Sequence, residues 1–171
     1  MKWGFMVKRI SWSLLVLFIC IMATSGAGLG NVVINEVELG PSADSADWVE
    51  LYNTGDEDLD IGRWSVWIVN NLPSTGHWYG VIKIPQDTVI EATGFYVAEG
   101  ESSWNVNNGT VILKTESGTI VDETHQLVDH LSDDFTWSRY PDGRDTGHKS
   151  DWVFIMSSKN AYNLLNSTGR S

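Results

Sequence analysis

Short segments of alternating hydrophobic and polar residues follow one another from residue 32 onward. Such alternation is typical of β-strands with one buried face. The sequence predicts strands at 32–39, 48–52, 59–61, 64–69, 78–84, 88–90, 95–98, 111–115 and 119–123, and one short helical turn within 126–134. Short strands separated by turns about every 8–12 residues are typical of a β-sandwich. We therefore expect an all-β sandwich.

The first 30 residues follow a different pattern. Three basic residues lie among the first nine positions, and an apolar run follows over residues 10–23. This is the order of a secretory signal, and the run of about 14 residues is shorter than the roughly 20 that a transmembrane helix needs. We expect a signal helix in residues 1–27, cleaved after Ala27. The alternative is an uncleaved signal-anchor, because residues 10–29 carry no charge.

These boundaries predict a sandwich domain over residues 31–163 and a flexible C-terminal tail over 164–171. They also predict a secreted or cell-surface protein, or one anchored in the membrane by its N-terminal segment. Cys20 is the only cysteine and lies inside the apolar run. A chain cleaved after Ala27 therefore has neither disulfides nor thiolate metal sites.

Composition narrows the class of partner. The chain has 22 acidic and 11 basic side chains, a net charge of −11. Nucleic-acid binding needs clustered Lys and Arg, so we expect no nucleic-acid partner. Hydrophobic residues make up 42% and aromatic residues 11% of the chain, which excludes a disordered acidic segment.

The tryptophans allow two interpretations. They can fill the core of a sandwich that lacks a disulfide, or they can form an aromatic surface that binds sugars. Most of them lie within strand patterns beside Val and Ile, which favours the core. Trp78, Tyr79 and Trp104 are the candidates for exposed binding residues.

The order of several motifs resembles that of the lamin tail domain family. The opening strand pair reads VINEV at 33–37 and WVELYNTGD at 48–56, followed by LDI at 59–61 and Trp64. Later motifs are IP at 84–85, TVI at 88–90, GFYV at 94–97, VILK at 111–114, GTIVD at 118–122 and WSRYPDG at 137–143. The family often closes with TPGxxN, whereas this chain reads SSKNAYN at 157–163.

This resemblance implies an immunoglobulin-like β-sandwich. The family occurs in nuclear lamins and in secreted or surface proteins of bacteria and archaea, where its role is binding or structural. It supplies no catalytic residues and no cofactor, so we expect a non-enzymatic module whose partner is an envelope or extracellular protein or glycan. The alternative is an accessory carbohydrate-binding module that uses exposed aromatics and is assisted by calcium.

Three charged residues are candidates for a structural role. Arg139 is a rare cation in an acidic chain, and Glu50 lies in an alternating strand pattern. A buried charge is costly unless it is paired. We therefore expect Arg139 to pair with a buried carboxylate such as Glu36 or Glu50 and to fix the strand register.

Motifs for chemistry are weak. The acidic run that begins at Asp56 fails the EF-hand spacing, because Ile61 and Trp67 stand where Gly and Glu are required. A looser surface calcium site would use Asp56 and Asp58 with Asp44 or Asp47, but no metal ligand set is predicted. Neither HExxH nor GxSxG is present, so no catalytic residue is assigned. Asn108 and Asn166 begin glycosylation sequons.

Overall fold

The computed structural model describes residues 31–42, 45–70, 78–104 and 106–165. The predicted signal segment and residues 166–171 lie outside this range. Within the described residues, no helix is both long enough and apolar enough to cross a bilayer.

Twelve strands and one 3-10 helix form the regular structure of the described residues. The strands are β1 (Val32–Glu38), β2 (Trp48–Asn53), β3 (Leu59–Asp60), β4 (Ser65–Asn70), β5 (Trp78–Lys83), β6 (Val89–Ile90), β7 (Phe95–Glu99), β8 (Asn108–Lys114), β9 (Ile120–Glu123), β10 (Leu127–Val128), β11 (Phe135–Arg139) and β12 (Trp152–Met156). The 3-10 helix spans Lys149–Asp151 and leads directly into β12.

The strands form two main antiparallel sheets. The first sheet has the order β12-β11-β1-β2-β7, and the second has the order β10-β8-β4-β5 with β9 also paired to β8. The short strands β3 and β6 pair with each other. This all-β arrangement confirms the predicted immunoglobulin-like sandwich.

The core lies between the two sheets and follows the alternation of the sequence. Inward-facing residues of β1 and β2, such as Ile34 and Leu51, meet inward-facing residues of β4 and β8, such as Val66 and Leu113. All four are fully buried. Because successive strand residues point to opposite faces, the residues between them form the outer faces of the sandwich.

Two sequence-based expectations about secondary structure differ from the structure. The helical turn predicted within 126–134 is wrong, because residues 127 and 128 form β10 and pair with β8. Leu127 is fully buried in the core, so tertiary packing holds this segment extended. The strands β11 and β12 were not predicted, although both alternate between apolar and polar residues over part of their length.

Candidate binding surface

The outer face of the first sheet is closed by the chain itself. Two segments, residues 140–143 and 157–163, lie over it, and we call them the closing segments. Glu36 is fully buried beneath them, where its carboxylate accepts hydrogen bonds from the Thr136 hydroxyl (2.6 Å) and the Ser158 backbone N–H (2.9 Å). The closing segments therefore supply donors that a buried carboxylate requires.

Glu50 is bound to the closing segments in the same way. It is fully buried and accepts hydrogen bonds from the Asn35 side-chain amide (3.1 Å) and the Asn160 backbone N–H (2.6 Å). Burial raises the pKa of Glu50 to about 7, although the hydrogen bonds from Asn35 and Asn160 oppose this rise. The neighbouring carboxylates Glu36 and Asp142 raise the pKa further.

The segment 157–163 is docked even though its sequence departs from the family's closing motif. The Asn163 side-chain amide donates to the Arg139 carbonyl (2.9 Å), and the Asn163 backbone N–H donates to the Asp142 carboxylate (3.1 Å). The Tyr162 ring packs edge-on against Tyr52 and Phe95. Polar and aromatic contacts thus hold residues 157–163 against the first sheet, although these residues do not form a strand.

One glycine is required by the closing segments. Gly143 has a φ of +70°, a conformation that residues with a Cβ rarely adopt. A Cβ atom at this position would lie 2.7 Å from Thr54 and 2.9 Å from the Tyr52 ring. The backbone N–H of Gly143 donates to the Asn35 side chain (3.0 Å), so this close approach fixes the first closing segment to β1.

Arg139 joins the two sheets at the edge of the core. Its guanidinium is 2% exposed and donates to both Asp122 carboxylate oxygens (3.0 and 3.3 Å) and to the Ile34 carbonyl (2.7 Å). A third branch donates to the Arg144 carbonyl (2.7 Å) and lies 3.2 Å from the Asp145 carboxylate. The structure therefore gives Arg139 the buried carboxylate partner that the sequence predicts.

The predicted identity of that partner is wrong. Asp122, on β9 of the second sheet, pairs with Arg139, whereas Glu36 and Glu50 are satisfied by the closing segments. The physical reason is that these side chains point to opposite faces of the first sheet. Glu36 and Glu50 face each other across β1 and β2 on the outer face, while Arg139 reaches toward the opposite sheet.

Arg139 and its surroundings also stabilise a second buried acid. Burial alone would raise the pKa of Asp151, but hydrogen bonds from Thr146 and His148, together with the charge of Arg144, outweigh burial and lower it. Arg144 lies 2.9 Å from the Asp151 carboxylate. Hydrogen-bond donors and the cation Arg144 thus stabilise the negative charge of Asp151 beside Arg139.

The outer face of the second sheet differs from the closed face. Val66 and Ile68 of β4 are fully buried, so Trp67 between them points outward. The strand register places outward-facing residues of β4, β5 and β8 side by side, and all of them are half-buried or exposed. We call this surface the open face; its residues are Ser65, Trp67, Val69, Tyr79, Val81, Lys83, Thr110, Ile112 and Lys114.

Trp67 is the centre of the open face. Its ring lies nearly parallel to that of Tyr79, with an angle of 25° and 5.5 Å between the ring centroids. The Lys114 ammonium lies 4.1 Å from the centroid of the Trp67 ring, and the indole N–H donates to the Ser65 hydroxyl (3.0 Å). Aromatic and cation–π contacts therefore hold the ring in one orientation.

An open groove of about 440 Å³ adjoins Trp67. Its apolar lining includes Trp67 and Val81, and three cations stand around it: Arg63, Lys83 and Lys114. Arg63 also lies 3.2 Å from the Glu116 carboxylate at the same groove. The groove thus combines an apolar lining with positive charge in a strongly acidic chain.

The structure separates the predicted binding residues. Tyr79 is 61% exposed and belongs to the open face. Trp78 lies on β5, but its side chain is outside the described residues. Trp104 is half-buried and lines a different cavity of about 210 Å³ together with Gly40 and other residues of the loops at that end.

Sequence reasoning missed Trp67, Lys83 and Lys114. Trp67 was grouped with the tryptophans expected in the core, although the buried Val66 and Ile68 on either side of it give the signal that it points outward. Lys83 and Lys114 come from distant strands, and only the sheet register brings them beside Trp67. The interpretation of the tryptophans as core residues fits Trp48, Trp64 and Trp152, which are at most 7% exposed.

Three further acids are buried at the end of β1. Glu38, Asp47 and Asp129 are each less than 5% exposed, and each has one carboxylate oxygen without a hydrogen-bond donor. Burial, followed by the charges of Asp129 and Asp47, raises the pKa of Glu38 to about 9, and burial raises the pKa of Asp47 to about 6. Burial also raises the pKa of Asp129, so all three acids hold their protons to a higher pH than exposed carboxyl groups do.

No group of three or more His, Cys, Asp or Glu side chains in the described residues is placed to hold a metal ion. Of the loose calcium set, Asp58 accepts a hydrogen bond from the Ala92 N–H (3.0 Å), and Asp47 accepts one from the Gly40 N–H (2.9 Å). Asp44 lies outside the described residues.

The two sequons differ in what the structure shows. Asn108 lies within β8 and is 7% exposed, and its amide nitrogen donates to the Asn107 side chain (3.4 Å). A glycan on that nitrogen would have to displace buried neighbours, so the folded domain disfavours modification there. Asn166 lies outside the described residues.

The two antiparallel sheets form an immunoglobulin-like β-sandwich, and its two outer faces differ. The family model of the lamin tail domain matches residues 25–128, which is more than half of the chain. The chain therefore belongs to the lamin tail domain family, whose members are non-catalytic immunoglobulin-like domains. No curated protein matches the chain. Strands β11 and β12 and the closing segments follow the matched range.

Proposed function

We propose that this protein is an exported, non-enzymatic module that binds a partner at the cell envelope or outside the cell. The open face is the binding surface. The single observation that carries the proposal is the groove beside Trp67, where an apolar lining and three cations meet on one face of the domain. Membership of a non-catalytic domain family supports a binding or structural role.

Export is part of this proposal. The order of basic, apolar and small residues at the N-terminus supports a signal peptide. We expect the exported protein to begin at Gly28, and intact-mass spectrometry of protein recovered outside the cytoplasm measures this directly. Recovery of residues 1–27 with membrane-extracted protein would instead favour the signal-anchor. The protein would then contact the membrane through its N-terminal segment alone.

Nucleic acid is not proposed as the partner. The net charge of −11 repels a phosphate backbone, and the three cations of the groove are too few for tight non-specific duplex binding.

A second candidate function is that of an accessory carbohydrate-binding module. The observation that favours it is Tyr79, which is 61% exposed and packs beside Trp67. Aromatic side chains that present an apolar surface to solvent beside polar groups suit ligands with one apolar and one polar side. The candidate differs from the first proposal in the chemistry of the partner and shares the same surface.

Sedimentation with the envelope fraction of the source organism tests the proposed function. The wild-type protein is expected to co-sediment with envelopes, and Trp67→Ala and Tyr79→Ala are expected to remain in the supernatant. Leu164→Ala is the matched control, because Leu164 is 64% exposed and lies outside both closing segments and the open face. Equal co-sedimentation of all four proteins would overturn the open face as the binding surface.

A further inference from the structure

We propose that the groove beside Trp67 binds an acidic saccharide, that is, a sugar chain whose rings carry carboxylate groups. This inference rests on the proposed function and specifies the ligand of the same surface. A sugar ring packs on the apolar lining, and its carboxylate meets the cations around the groove.

The distribution of cations gives the charge of the ligand. The described residues contain seven Lys and Arg side chains, and three of them line this groove. Within the described residues, neither Lys83 nor Lys114 forms an ion pair. Other cations are already engaged: Arg139 with Asp122, Arg144 with Asp151, and Lys159 with Glu99. Lys114 contacts the Trp67 ring, but neither it nor Lys83 has a carboxylate partner among the described residues. Two positive charges without a counter-ion therefore stand together on one face of an acidic protein, and they match an anionic ligand.

The lining of the groove gives the shape of the ligand. Trp67 and Val81 present apolar surface between the strands, and Ser65 and Thr115 add hydroxyl groups at its margin. A pyranose ring has apolar C–H faces and polar groups around its edge, so it can cover Trp67 and reach these hydroxyls at once. Ligand sites of this kind combine a mostly apolar surface with a few placed polar groups.

The acidic residues near the groove indicate the path along which an anionic sugar chain would cross the sheet. Glu116 lies at the groove but is paired with Arg63, whereas Glu123 on β9 stands opposite Ile112 beyond β8. An anionic chain that crossed toward β9 would approach Glu123, while one that ran along β4 and β5 would pass Lys83, Trp67 and Tyr79. We infer that the ligand runs along β4 and β5, away from Glu123.

An acidic peptide is the less favoured anion. Peptides that bind a sheet add to an edge strand through backbone hydrogen bonds. The groove lies on the face of the sheet, and its central strand, β4, already pairs on both sides, with β5 and β8. Ligand contacts over β4 are therefore made by side chains, whereas β5 is the edge strand of this sheet and is where a peptide would add.

Isothermal titration of the purified protein with polygalacturonate tests the proposal. Dextran serves as the neutral saccharide and poly-glutamate as the acidic peptide. We expect the wild-type protein to bind polygalacturonate, with weaker binding as salt is added, and to bind neither of the other polymers. Two variants, Trp67→Ala and the double variant Lys83→Gln/Lys114→Gln, should each weaken binding at least tenfold.

The control is Lys149→Gln, since Lys149 is a further cation without an ion pair among the described residues and lies away from the open face. Its affinity should equal that of the wild type, and circular dichroism should show that every variant is folded. If Trp67→Ala disrupts the fold, Tyr79→Ala serves as the aromatic variant. Unchanged affinity in the lysine double variant, or equally tight binding of dextran or poly-glutamate, would overturn the proposal.

Failure of this inference is distinguishable from failure of the proposed function. If envelope binding depends on Trp67 but polygalacturonate does not bind, the binding surface stands and the acidic saccharide is wrong. If envelope binding is the same in the wild type and in Trp67→Ala, the surface itself is wrong.

Discussion

The two outer faces of this sandwich are both formed by antiparallel strands but differ in what covers them. On the first sheet, Glu36 and Glu50 point outward and are fully buried, because the closing segments lie over them. On the second sheet, Trp67 and Tyr79 point outward and remain partly or largely exposed. The polar face is covered, and the aromatic face is open.

This contrast is the reverse of what the hydrophobic effect alone would give. An exposed apolar patch costs free energy in water, whereas buried carboxylates are stable only when donors satisfy them. On the first sheet, the chain supplies those donors from its own C-terminal part. On the second sheet, the described residues leave the apolar surface around Trp67 uncovered, and we propose that it binds another molecule, as such patches commonly do.

The largest effect is expected at Arg139, which connects the closing segments to the core. Arg139→Met would remove the buried cation that pairs with Asp122 and the side-chain donor to the Ile34 carbonyl. Removal of one partner of a buried ion pair costs about 3–5 kcal/mol. Urea denaturation should show a loss of that size in the free energy of unfolding.

The control for Arg139 is Arg63→Met. The Arg63–Glu116 pair is exposed, with side-chain exposures of 52% and 62%, so its loss should cost less than about 1 kcal/mol. Similar losses in the two variants would contradict the assignment of Arg139 as the buried connection between the sheets.

A smaller loss is expected when one anchor of the closing segments is removed. Asn163 is 3% exposed, accepts from the Ser158 hydroxyl (2.5 Å) and donates to the Arg139 carbonyl (2.9 Å). Asn163→Ala should lower the free energy of unfolding by about 1–3 kcal/mol, because buried partners lose their hydrogen bonds. Leu164→Ala, at the adjacent exposed position, should have no measurable effect. If the two alanine variants are equally stable, the segment 157–163 does not hold the first sheet closed.

The buried acids predict an unusual dependence of stability on pH. Glu38 has a pKa of about 9 in the folded protein against an ordinary value of 4.5, so the unfolded chain releases this proton at lower pH than the folded domain. The stabilisation is therefore complete below about pH 4.5 and is lost as pH rises toward 9. Protonated Glu50 and Asp47 also stabilise the folded domain, and their contributions are lost as the pH rises toward about 7 for Glu50 and about 6 for Asp47. Asp151, whose pKa is lowered, acts in the opposite direction under acidic conditions.

Glu38→Gln isolates this effect, since the amide mimics the protonated carboxyl group. The variant should gain about 1–2 kcal/mol over the wild type at pH 8 and little at pH 5. Thermal denaturation at the two pH values measures both. A gain of the same size at pH 5 and pH 8 would show that Glu38 does not hold its proton in the folded domain.

The smallest effect on stability is expected at the open face. Tyr79→Ala removes a side chain that is 61% exposed and contacts Trp67, so the loss should be under about 1 kcal/mol. The same variant should lose envelope binding. A large loss of stability would mean that Tyr79 serves the fold, and the contrast between the two faces would fail.

The sequence predicted the sandwich because alternation along each strand is a local signal. It also predicted that Arg139 pairs with a buried carboxylate, because cations are rare in this acidic chain and a buried charge needs a partner. It could not choose Asp122 among 22 acids, since that choice depends on how the two sheets meet. The groove was missed for the same reason: Arg63, Lys83 and Lys114 are separated by about 20 and 30 residues, and only the strand register brings them together.

The central claim is that the open face binds the partner and the closed face does not. The most direct test is amide chemical-shift mapping of the purified protein during titration with galacturonate oligomers. The account predicts perturbations along β4, β5 and β8, with Trp67 and Lys83 among the largest, and none along β1 and β2. Perturbations concentrated on β1 and β2 would contradict it, whereas no perturbation on either face would overturn only the acidic saccharide as the ligand.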